Sequence, residues 1–91
     1  MMARLKKWET EAAEIRGAPD FPYSRAAALL TEIIRFGSGT ALAEQAQLVL
    51  PSVRRAMAKG ASPFVKATTR QRFGLVCDVL HASSGPRFGR R

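Results

Sequence analysis

Glycine and proline divide this 91-residue chain into four segments long enough to be helices, followed by a short tail. The breaks fall at Gly17 to Pro22, at Gly37-Ser38-Gly39, at Gly60 to Pro63, and in the stretch from Ser83 to Arg91. Glycine admits backbone conformations that other residues avoid. Proline removes a hydrogen-bond donor and pushes the preceding residue out of the helical region, so regular structure tends to stop at such clusters. A chain this short supports one hydrophobic core, and each segment has to bury its apolar face against the others.

Within the segments the apolar residues recur at helical spacing. Met1, Leu5, Trp8, Ala12 and Ile15 form a narrow seam, and Gly17 is expected to end that helix in the left-handed conformation. Ala18 to Pro22 reads as a stiff, extended connection, after which Ser24 is placed to cap a second helix burying Ala26, Leu29, Leu30, Ile33 and Ile34. Thr40 is placed to cap a third helix. There Leu42, Ala46, Val49, Leu50, Val53 and Met57 stay in one arc across Pro51, which predicts a single helix kinked at that proline. Ser62-Pro63 is a cap and first-turn pair for a fourth helix through about Ala82, with an apolar arc of Phe64, Val65, Phe73, Leu75, Val76, Val79 and Leu80. The expected fold is all-α: a small bundle of three to four short helices in a single domain, residues 1–82, with a basic Gly/Ser/Arg tail over 83–91.

Charge is where composition enters. Residues 1–45 balance six basic side chains against six acidic ones, whereas residues 46–91 carry nine basic side chains and only Asp78, so the net charge of +8 lies entirely in the second half. A concentrated positive field attracts phosphate or carboxylate surfaces, and a polyanion is the partner it implies. Arg55 and Lys59 are one turn apart, as are Lys66 and Arg70, and an antiparallel hairpin through Gly60 is expected to bring both pairs and Arg54 onto one surface. Arginine supplies planar bidentate donors and lysine a point charge, a combination suited to a phosphate backbone. Arg87, Arg90 and Arg91 flank Phe88 in the tail, an interleaving of cation and aromatic found in flexible single-strand binders.

Other residues carry less. Arg72 falls inside the fourth helix's apolar arc and is expected to pair with a carboxylate from the first or second helix, because an unpaired charge there costs several kcal/mol. Cys77, the single cysteine, reads as a small core hydrophobe and His81 as a residue that completes a helix dipole. Gly37 to Thr40 reads as a hinge, since it lacks the lysine and spacing of a nucleotide loop. One cysteine excludes a disulfide framework and a cysteine-rich zinc site, which favours a reducing compartment, cytoplasmic or mitochondrial. The longest apolar run, Ala26 to Leu30, is far below the roughly 20 residues of a spanning helix. No metal-ligand, paired-carboxylate or nucleophile–base pattern stands out, so neither a cofactor nor an enzymatic activity is expected.

Residues Leu42 to Met57 also resemble, without a gap, the helix-turn-helix of bacterial transcription regulators of the GntR and LacI type. The resemblance implies a supporting helix followed by a recognition helix, with Pro51, Ser52, Arg54 and Arg55 near DNA and Val53 and Met57 facing inward. It covers this segment alone and requires a sharp turn near Gln47 to Val49, where the kinked-helix reading requires none. The function expected from the whole chain is non-enzymatic binding of nucleic acid by its basic half. The alternative is a structural accessory subunit of a large protein or ribonucleoprotein assembly, with Leu5, Trp8 and Ile15 of the first helix packing against neighbours.

Overall fold

A computed structural model describes the backbone of residues 2–84 and the side chains of residues 4–82. Met1 and the tail arginines Arg87, Arg90 and Arg91 lie outside the described residues. Four helices follow in order: α1 Met2–Gly17, α2 Tyr23–Phe36, α3 Ala41–Met57 and α4 Pro63–Ser84. No strand occurs among the described residues. α2 packs on α3 and α3 on α4, and α1 closes the set chiefly against α4 with a smaller contact to α2, giving an all-α bundle with a single core. None of the described helices is long and apolar enough to cross a membrane.

The ends of the helices show which local signals prevail. Thr40 caps α3 as its residue type predicts: its hydroxyl accepts from the Ala43 N–H at 3.1 Å and donates to the Gly37 carbonyl at 2.6 Å. Gly37 is required there because a Cβ would meet the Ile33 carbonyl oxygen at 2.8 Å. Ser62 accepts from the Val65 N–H at 3.1 Å and caps α4. Gly17 departs from expectation: it is the last residue of α1, and the left-handed glycines are Gly39 and Gly60, at φ 88° and 84°. Ser24 does not cap α2 either. That helix starts at Tyr23, two residues earlier than a Ser24 cap implies, behind Pro22 and without a side-chain cap. Phe21 explains the difference: it is buried, edge-on to Phe73 at 5.3 Å and to Tyr23 at 5.0 Å. Burying a phenylalanine is worth about 1.5–3 kcal/mol, more than the roughly 1 kcal/mol of a cap, so the aromatic cluster sets the entry angle.

Residues 41–57 form one continuous helix with Pro51 inside it. The turn that a helix-turn-helix needs near Gln47 to Val49 is absent, and Val49 is buried in mid-helix. The proline is tolerable there because Pro51 and Gln47, whose carbonyl loses its helical partner, are both on the exposed side of the helix. Of the expected apolar arcs, Val65 is half-buried outside the core cluster and three further members lie in the open. Met57, at the last turn of α3, and Phe64 and Leu75, on α4, are exposed. The buried face of α4 is instead centred on Thr69, Phe73, Val76 and Leu80. Thr69 accounts for the rotation: its hydroxyl donates to the Ser52 carbonyl at 2.9 Å, and holding that side chain against α3 turns Phe64 and Leu75 outward.

The seam of α1 lies inside the molecule. Trp8 and Ile15 are fully buried and Leu5 is half-buried against the core, so they pack within the bundle rather than against an outside neighbour. Trp8 explains the choice: its indole ring fills the core while its N–H donates to Glu32 at 2.9 Å, which satisfies the polar tip within the same chain.

Candidate polyanion-binding surface

Arg54, Arg55, Lys59 and Lys66 cluster around the α3–α4 connection, and all four are exposed. Two of them share a recess. Lys59 and Lys66 line a cavity of about 660 Å³ between the Gly60 turn and the start of α2, with Tyr23 and Arg25 on its far wall. Arg54 and Arg55 project from the last turns of α3, one residue and therefore about 100° apart on the helix.

Arg70 is committed elsewhere. Its guanidinium donates to the Ala18 carbonyl at 2.8 Å and lies 5.6 Å from the Phe21 ring, so it ties α4 to the α1–α2 connection. The expected five-cation surface thus divides: four side chains remain around the turn, and the fifth is a structural clasp on the α1 side of α4. Arg25, in the first turn of α2, stands at the recess. It is held there by Glu11 at 2.8 Å and Glu14 at 3.0 Å, and the bonds to Glu14 and then Glu11 raise its pKa further above the usual arginine range.

Arg72 corrects a further expectation. Among the described residues it has no carboxylate partner: it is exposed and reaches across to donate to the Ser52 hydroxyl at 2.8 Å. A long stem carries the charge to water at far lower cost than burying it with an acid. Arg72→Ala is therefore expected to cost only about 1 kcal/mol, the loss of one hydrogen bond to the buried Ser52. A thermal melt of that variant reads the value directly.

The acids explain why the turn stays positive. Among the described residues, Glu11 and Glu14 pair with Arg25, Glu32 with Lys7, Asp78 with Arg16 at 3.5 Å, and Glu9 with His81 at 3.0 Å. All of these are bonds to α1 or within the α1–α2–α4 side of the bundle. No ion pair of the described residues reaches Arg54, Arg55, Lys59 or Lys66. His81 accordingly meets a carboxylate as well as standing in the last turn of α4.

Cys77 is half-buried beside the Ala12 carbonyl, 3.9 Å from its sulfur, and burial pushes its thiol pKa up, away from the reactive thiolate. It borders a groove of about 460 Å³ between α1 and α4, where the Glu9–His81 and Arg16–Asp78 pairs also lie. No group of histidine, cysteine and carboxylate side chains among the described residues is arranged to hold a metal ion. No family model, curated protein or solved structure matches this chain.

Proposed function

We propose that this protein binds nucleic acid through the phosphate backbone, using Arg54, Arg55, Lys59 and Lys66 around the α3–α4 turn, with Arg87, Arg90 and Arg91 of the tail as additional contacts. One observation supports the reading above the others: these four exposed cations gather around one turn with no carboxylate partner among the described residues, whereas Lys7, Arg16 and Arg25 are each paired. Ordinary surfaces intersperse both signs, and a cluster left unneutralised is suited to a polyanion. Phosphate contacts position a nucleic acid without reading its sequence, so binding is expected to depend weakly on base composition.

Salt titration tests this. Four phosphate contacts on duplex DNA release counterions so that log affinity falls against log salt with a slope of about −3.6, steeper if the tail adds contacts. Fluorescence anisotropy of a labelled duplex and a labelled single strand between 50 and 200 mM salt, values chosen to span about two decades of affinity, measures that slope. A slope near zero, or no binding at the low-salt end, overturns the reading.

A further inference from the structure

The outer face of the α3–α4 hairpin carries large apolar side chains that no other part of the described bundle covers. Leu48 is 69% exposed, Phe64 77% and Leu75 50%. They are not scattered. The bonds from Thr69 and Arg72 to Ser52 bring the middle of α4 against Ser52 of α3. Leu48 lies one turn before Ser52 on α3, and Leu75 lies one turn after Arg72 on α4 in an antiparallel hairpin. The two leucines therefore border the same groove. Phe64, Thr68 and Leu75 continue along α4 at spacings of four and seven, one row roughly 16 Å long.

Arg55 lies two turns beyond Leu48 on the α3 bank of this groove, Arg72 reaches across it from α4 to Ser52, and Glu44 is the acid of the α3 bank, at the far end from the turn. Arg72 spends one guanidinium nitrogen on Ser52 and keeps its remaining donors toward solvent. Apolar positions at helical spacing flanked by cations are the complement of an amphipathic helix with acidic flanks. A second copy of this chain fits poorly, because a two-fold contact brings together two copies of Arg55 and Arg72 with only Glu44 of each face to offset them.

We infer that the groove along Leu48, Leu75 and Phe64 is a docking site for an acidic amphipathic helix of another protein, with Arg55 and Arg72 as its charge clamps. The site goes beyond nucleic-acid binding and shares only Arg55 with it, since Lys59 and Lys66 line the recess toward Tyr23 and Arg25.

The test uses the full chain and a panel of labelled synthetic helices with leucine at i, i+3, i+4 and i+7 and glutamate on the flanks. Saturable binding is expected, together with loss of binding when the flanking glutamates are replaced by lysine. Leu48→Glu with Leu75→Glu is expected to weaken binding by about tenfold or more, as loss of central apolar anchors does. Lys59→Gln with Lys66→Gln is expected to leave it unchanged. Phe64→Ser, at a still more exposed position, provides the same readout if the double leucine variant melts early. The inference is overturned if no peptide of the panel binds. It is also overturned if sedimentation shows a dimer that the leucine variant abolishes, if the variant's principal loss is binding to anionic vesicles, or if it lowers affinity for single-stranded DNA more than for peptide.

Discussion

Phe73→Ala is expected to destabilise the fold by about 3–5 kcal/mol, the range for removing a fully buried phenylalanine with partial collapse of the cavity. Phe73 has no solvent exposure, lies on the α4 face toward the core, and meets the edge of Phe21 at 5.3 Å. The loss reaches past its own volume. Phe21 holds the α1–α2 connection in place of a helix cap and also receives the Arg70 guanidinium at 5.6 Å. A domain of this size has a total stability of roughly 5–10 kcal/mol, so the variant loses a large share of it and its melting temperature drops by about 15 °C or more. Differential scanning calorimetry with a urea titration checks both values. A drop below about 5 °C would place Phe73 outside the core and contradict the phase of α4 described above.

Replacing Arg54, Arg55, Lys59 and Lys66 together by glutamine is expected to leave the fold intact and to remove most nucleic-acid binding. All four are exposed and none is ion-paired within the described residues, so each substitution changes stability by no more than about half a kcal/mol. Binding behaves differently. Each phosphate contact contributes about 0.9 to the salt slope, so the slope flattens by about 3.6 and affinity at 50 mM salt falls by at least about a hundredfold. Arg70→Gln is the matched control. It removes one positive charge from the same helix, yet its loss is one of packing and of a bond to the Ala18 carbonyl, costing about 1 kcal/mol of stability with little change in the slope. If Arg70→Gln reduces the slope as much as a residue of the turn does, the assignment of Arg70 as a clasp is wrong.

Much of the fold is legible from local patterns because local patterns act locally. Gly37-Ser38-Gly39 and the Gly60 to Pro63 stretch separate helices where they are expected to, and Thr40 and Ser62 cap α3 and α4 through bonds spanning three residues. The continuity of Leu42, Ala46, Val49 and Val53 across Pro51 predicts one helix and not two, and one helix is found. Leu30, Ile33, Val49 and Val53 are core residues on pattern alone.

The errors share a cause: each needs knowledge of what a side chain meets from another element. Thr69 looks like a surface residue until the Ser52 carbonyl is found 2.9 Å away, and with it goes the rotation that exposes Phe64 and Leu75. Arg72 looks buried by phase, yet its stem is long enough to leave the core and bond Ser52 from the edge. Arg70 is indistinguishable in sequence from Lys66, one turn away, until the Ala18 carbonyl and the Phe21 ring are in place beside it. Ser24 has the residue type of a cap, and only the packing of Phe21 against Phe73 shows why the helix begins before it.

By itself the sequence determined the helical segments, most of the residues they bury, and the accumulation of positive charge after residue 45, because periodicity, capping and net charge are properties of the chain taken in order. Which cations stay unpaired was decided by the tertiary structure. Helix α1 supplies Glu9, Glu11 and Glu14 to His81 and Arg25, and the α1–α2 connection takes Arg70, while none of the described acids pairs with Arg54, Arg55, Lys59 or Lys66. Partners far apart in sequence meet only when the bundle closes, and a charge becomes available or committed according to what closure sets within a few ångströms of it.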